Sequence, residues 1–144
     1  MYLSLSIMEN HDKFMQRCYQ LAQLASDEGE SPVGSVIVKG GIIIGEGTEK
    51  SRQLKDITRH AEIVAILDAL ESSHDLREAT LYTNVEPCLL CSYAIRHYRI
   101  KKIVFSKYSG ELGGTHKPFN ILTSSDFESW DNPPEILFYE NRKL

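Results

Sequence analysis

Residues 79–106 constrain the fold most. The run Ala79-Thr80-Leu81-Tyr82-Thr83-Asn84-Val85 is rich in β-formers and reads as a strand, which Glu86-Pro87 breaks. A helix is expected from Cys88 to about Tyr98, with Pro87 suited to its first turn. Lys101-Lys102 then lead into an apolar strand at 103–106. A helix between two strands of one sheet implies a right-handed crossover.

The rest of the chain extends this unit. Residues 11–28 carry Phe14, Cys18, Leu21, Ala22 and Ala25 at helical spacing, and Gly29 is a stop. Cys18 lies on that stripe and is expected as a buried packing thiol. Residues 33–39 and 42–46 are β-rich runs joined by Lys39-Gly40-Gly41, a hairpin signal. Residues 49–58 are polar and read as a loop. A second helix is expected from about His60 to Ser72, with Ile63, Ile66, Leu67 and Leu70 as its buried stripe. Gly110, Gly113 and Gly114 mark a loop that could serve as a lid or equally be a plain surface loop. A short helix is expected at 125–130, stopped by Pro133-Pro134, then a last strand or apolar docking segment at 136–139. The order predicts an α/β fold: a three-layer α/β/α sandwich with a mixed sheet of about five strands. Residues 1–144 are expected to form one domain, with 1–10 as a loose N-terminal extension.

Composition narrows the function. The net charge is −4, which disfavours a strongly cationic nucleic-acid binder. Three cysteines, Cys18, Cys88 and Cys91, do not make a secreted disulfide framework. No apolar run approaches the ~20 residues of a membrane span, and the start of the chain lacks the basic region of a signal peptide. A cytoplasmic location and no membrane partner are expected.

Two motifs carry chemistry, His60-Ala61-Glu62 and Pro87-Cys88-Leu89-Leu90-Cys91, and each opens an expected helix. Cys88 and Cys91, spaced i, i+3, share one helix face and can clasp a zinc ion. The helix N-terminus favours their thiolates. His60 could add a nitrogen, and three protein ligands would leave a fourth position for water, as in catalytic zinc sites. Glu62 could lie near the metal without ligating it and exchange protons with water. By itself a C-x-x-C pair could be redox-active or half of a structural zinc site. The spare candidates for a fourth ligand are Cys18, His11, His74, His97 and His116, none convincingly placed.

H-A-E followed by P-C-x-x-C resembles the signature of the zinc-dependent cytidine/deoxycytidylate deaminase superfamily. The chain looks most like the branch holding guanine deaminases, small cytosine deaminases and tRNA adenosine deaminases. The matching stretches are 31–38, 60–66 and 80–91, within a resemblance running from about 11 to 106. It implies Zn²⁺ held by His60, Cys88 and Cys91, and Glu62 as the catalytic proton shuttle. It also implies a homodimer whose neighbouring chain helps shape the pocket.

The substrate is read less directly. Glu49, in Gly45-Glu46-Gly47-Thr48-Glu49, stands where related deaminases carry an Asn that contacts the base. A Glu there would accept from an amino- and NH-rich ring such as guanine or an aminotriazine; the other reading is a solvated Glu49 in a shifted loop. Glu49 and Pro87 are the candidate substrate-binding residues. Phe119, Trp130, Phe138 and Tyr139 could stack on a planar ring, core packing being the commoner fate. A tRNA partner would need a basic surface, for which Arg96, Arg99, Lys101 and Lys102 are candidates. From Lys107 onward, four basic residues face six acidic ones. The expected substrate is therefore a free nucleobase or small aminated heterocycle, with tRNA adenosine as the alternative. A non-catalytic zinc-stabilised binding module is the alternative of another class.

Overall fold

The computed structural model describes residues 5–140, with side chains described from Asn10 onward. Eight elements follow in order: α1 (Leu5–Asp27), β1 (Gly34–Lys39), β2 (Ile42–Thr48), α2 (Ala61–Leu70), β3 (Thr80–Thr83), α3 (Leu89–Tyr98), β4 (Lys102–Phe105) and β5 (Glu135–Phe138). They build one five-stranded sheet in the order β2-β1-β3-β4-β5. β1 is antiparallel to β2 and β3, whereas β3, β4 and β5 are parallel. This is the mixed α/β sheet expected from the sequence.

Strand alternation divides the core between the two faces. Val36, Val38, Tyr82 and Val104 pack with Phe14, Met15, Cys18 and Leu21 of α1. Ile37, Leu81, Ile103 and Phe105 face the other way and pack with Ala65 and Ile66 of α2 and Ile95 of α3. Three layers result, α1 on one side and α2 with α3 on the other. Burying each large apolar side chain contributes about 1.5–3 kcal/mol.

Four expectations are corrected. α1 begins at Leu5, so part of the expected loose extension is helical, and residues 1–4 lie outside the described residues. The inward face of α2 is Ala61, Glu62, Ala65, Ile66 and Ala69, whereas Leu67 is 44% exposed and Ile63 and Leu70 are only half-buried. The cause lies in β2. A Cβ on Gly45 would come within 2.7 Å of the Ala69 nitrogen, and one on Gly47 within 2.5 Å of the Ala65 nitrogen. The helix rides directly on two glycines, so alanines rather than leucines face the sheet. Residues 125–130 form irregular chain and a turn, not a helix. Their neighbours' carbonyls are drawn to Arg96, which is 2% exposed and donates to the carbonyl oxygens of Ile121 (2.7 Å), Ser124 (2.8 Å) and Asp131 (3.3 Å). Finally, the 107–115 segment is pinned rather than free: Leu89 N–H donates to the Leu112 carbonyl at 3.0 Å and Gly114 N–H to the Pro87 carbonyl at 2.8 Å.

Candidate active site

α2 and α3 point their N-termini at one place. His60 is the N-cap of α2 and Cys88 the N-cap of α3, both in extended conformation, and neither side chain caps its own helix. Both side chains are turned toward each other instead. His60 Nδ1 lies 3.4 Å from Cys88 Sγ and 3.3 Å from Cys91 Sγ. All three atoms fall within 4.8 Å of one another, the only such group of metal-ligating residues among the described residues. Zinc with tetrahedral bonds of about 2.0–2.1 Å to nitrogen and 2.3 Å to sulfur would separate N and S by roughly 3.5 Å. The observed spacings match the edges of such a tetrahedron, and the soft thiolate and imidazole donors suit zinc. The residues present fit the ion.

The charges fit as well. Cys88 is pulled down to about 4 by hydrogen bonding from Cys91 and His60 against the cost of burial. Cys91 is pushed up, because it donates to that thiolate and is itself buried. His60 is raised to about 9, chiefly by its bond to Cys88.

Glu62 sits in the first turn of α2 and is 4% exposed. Burial pushes its carboxyl up to about 7, and its side chain hydrogen-bonds Cys91. A carboxyl poised near neutrality beside a metal-binding triad is suited to exchange protons.

Glu49 is 7% exposed, and both its oxygens are engaged. One accepts from Ala61 N–H (3.1 Å), the residue after His60, and the other from Ser51 Oγ (2.7 Å). It supplies the α2 cap that His60 does not. Pro87 has its carbonyl taken by Gly114 N–H at 2.8 Å.

The spare candidates lie elsewhere. Cys18 is fully buried on the sheet-facing side of α1, and burial pushes its thiol up. His11 is buried with Nδ1 2.7 Å from Tyr82 Oη. His74 and His116 are exposed, and His97 stacks on Tyr93. The aromatic candidates are mostly packed. Phe138 stacks on Tyr108, Trp130 packs edge-on to Tyr93, and Tyr139 hydrogen-bonds Asp12 of α1. Phe119 is 69% exposed.

The basic cluster is also accounted for internally. Beyond buried Arg96, Arg99 pairs with Asp131 at 3.1 Å, Lys101 with Glu78 at 2.7 Å, and Lys102 faces Glu135 at 3.9 Å. Sequence reasoning passed over Glu86 and Glu30, two buried carboxylates that hold loops. Their partners are 22 or more residues away, so only the Glu placed directly before Pro-Cys was a visible signal.

A His-Cys-Cys triad with one buried carboxylate, on two helix N-termini above a mixed sheet, defines a zinc-dependent hydrolytic deaminase. The family model for the cytidine and deoxycytidylate deaminase zinc-binding region matches residues 8–107, and the chain belongs to that family. A tRNA-specific adenosine deaminase of Aquifex aeolicus (strain VF5) is 40% identical over 111 residues, covering 76% of this chain and 74% of the relative. The tRNA-specific adenosine deaminase 2 of Xenopus laevis is 32% identical over 125 residues, covering 81% and 71%. A solved structure from a study of A-to-I editing by tRNA:A34 deaminases superimposes with TM-score 0.79 at 28% identity, covering 89% of this chain and 98% of that one. The guanine deaminase structure from Bacillus subtilis gives TM-score 0.65 at 37% identity, covering 68% and 64%.

Proposed function

We propose that the chain converts adenosine to inosine in tRNA. The observation that carries this reading is the similarity to relatives named as tRNA-specific adenosine deaminases, at 40% and 32% identity across about three-quarters of their length. It displaces the free nucleobase expected from charge, because the −4 balance is a whole-chain quantity and says little about a local surface. The basic residues supporting an RNA partner are not the ones first expected. Lys50, Arg52, Lys55 and Arg59 lie in the loop that runs into His60, where Arg59 faces Asp56 at 3.4 Å, Arg52 donates to the Gly29 carbonyl at 3.0 Å, and Lys50 N–H closes the loop on the Arg59 carbonyl at 3.0 Å. Phosphate contacts there would lie beside the catalytic residues.

In this reading His60, Cys88 and Cys91 hold the zinc, which supplies a Lewis-acidic position where water becomes acidic near neutral pH. Glu62 does the proton work. It takes one proton of the attacking water and gives it to the ring nitrogen beside the reacting carbon, then moves the remaining hydroxyl proton to the departing amine as the carbonyl forms. Ammonia leaves and a carbonyl remains. Glu49 holds the α2 terminus and thereby His60, and Pro87 shapes the wall beside Cys88.

A second reading, guanine deamination, is favoured by the 37% identity to the Bacillus subtilis structure. We place the protein in the cytoplasm as a homodimer. Leu90 and Tyr93 on the outer face of α3 are 39% and 55% exposed and offer an apolar surface for a second copy. None of the described helices is long and apolar enough to cross a membrane.

The test is direct. Zinc-loaded protein is incubated with tRNA transcripts bearing wobble adenosine, or with free guanine, cytosine or adenine. Inosine in the tRNA is expected; ammonia from guanine without inosine would overturn the RNA reading in favour of the second. Glu62→Ala should keep zinc and lose turnover by about 10²-fold or more. Undiminished activity there would remove Glu62 from its role.

A further inference from the structure

The segment that follows β4 doubles back along the metal-binding corner. Cys88 and Gly113 form an antiparallel bridge, Leu89 N–H donates to Leu112, and Gly114 N–H donates to Pro87. One side chain holds this arrangement. Glu86 is 3% exposed, and its carboxylate accepts four hydrogen bonds from the segment. Oε1 takes Ser109 N–H (3.0 Å) and Ser109 Oγ (3.3 Å). Oε2 takes Thr115 N–H (2.9 Å) and the Thr115 hydroxyl. Its own N–H donates to Lys107 carbonyl at 2.7 Å. The carboxylate occupies the space where a Gly113 side chain would be: a Cβ there would lie within 2.6 Å of Oε2.

The consequence reaches the thiolate. Leu89 N–H, the first donor of α3, is diverted to Leu112, and the Pro87 carbonyl accepts from Gly114 N–H, so the peptide groups on both sides of Cys88 are tied to the segment. The 107–115 segment therefore helps set the direction in which Cys88 presents its sulfur. We propose that Glu86 is a positioning residue for the metal centre: it clamps the 107–115 segment against Pro87-Cys88-Leu89 and so fixes where Cys88 Sγ sits. Glu86 touches neither substrate nor metal in this role, and the role is independent of which base is deaminated.

Glu86→Gln is nearly isosteric but turns one acceptor oxygen into a donor, facing either Ser109 or Thr115 donors. The full chain is loaded with zinc or cobalt. Metal release to an excess of chelator is timed, and the thiolate-to-cobalt and ligand-field absorption is recorded beside a thermal melt. Release about 10- to 100-fold faster and a shifted cobalt spectrum are expected, the range typical when a residue supporting a metal ligand is changed. Thr115→Val, which removes one hydroxyl donor and keeps the carboxylate, should show a smaller effect in the same direction and serves if Glu86→Gln does not fold. Glu30→Gln is the control, because Glu30 clamps Arg52 and Gln53 N–H groups (3.0 and 2.8 Å) away from the sulfurs. A lowered melting temperature with unchanged release and spectrum in the Glu86 and Thr115 variants would overturn the proposal. Equal acceleration in Glu30→Gln would do the same, by showing general loosening.

Discussion

Zinc uptake should release about two protons per ion at pH 7, a number that follows from the donor groups. Ligation requires two thiolates and a neutral imidazole. In the metal-free pocket Cys88 titrates near 4 and is already a thiolate at pH 7. Cys91 is held protonated by its bond to Cys88 and by burial. His60, near 9, is an imidazolium. Cys91 and His60 must each give up a proton, while Cys88 gives none. The logarithm of zinc affinity should therefore rise with slope close to 2 between about pH 5 and 8. That is roughly 100-fold, or 2.7 kcal/mol, per pH unit. Glu62, near 7, can add a fraction of a proton as the cation arrives. Titration calorimetry in buffers of different ionisation enthalpy counts the protons, and chelator competition across pH gives the slope. A count near three would mean that Cys88 is an ordinary thiol. A count near zero would mean that the donors are not these three.

Three further outcomes follow from packing and charge. Gly47→Ala pushes a methyl against the α2 backbone and should cost about 1–3 kcal/mol in urea unfolding; an unchanged midpoint would contradict the close seam. His11 has a lowered pKa, mainly from burial and then from Lys102, and its Nε2 has no partner. Its contribution to stability is complete above pH 6.5 and is lost as pH falls through the lower folded-state value. The urea midpoint should drop between pH 7 and 5, and less so in His11→Phe; identical pH profiles would refute the assignment. Lys50→Ala with Arg59→Ala should weaken tRNA binding and flatten its salt dependence, with the melting temperature nearly unchanged. Unaltered binding in a filter or fluorescence assay would move the RNA surface elsewhere.

The sequence showed the metal site well because its parts are local. His60 with Glu62, and Cys88 with Cys91, each sit within one helical turn, where spacing alone sets the geometry. The sheet was similarly legible, since its strands are short apolar runs bounded by breakers. The inward face of α2 was misjudged because large apolar residues usually face a core, whereas here β2 glycines admit only alanines. Arg96 looked like a surface cation at a helix end, yet three carbonyls from 121–131 satisfy it in the interior. Glu49 and Glu86 found their partners through folding, with backbone N–H groups of α2 and of the 107–115 segment that carry no mark in the sequence.

The glycine-alanine seam between β2 and α2 bears on how such a site could be re-engineered. With no side chain between them, the helix is bolted to the sheet, and His60 at its tip inherits the sheet's rigidity. A spacer at Gly45 or Gly47 would act as a wedge under a lever, swinging the imidazole away from both sulfurs. Because the 107–115 segment is tied to Cys88, room for a bulkier substrate is better sought in the loop at 50–59. There the chain can be reshaped without moving the fulcrum.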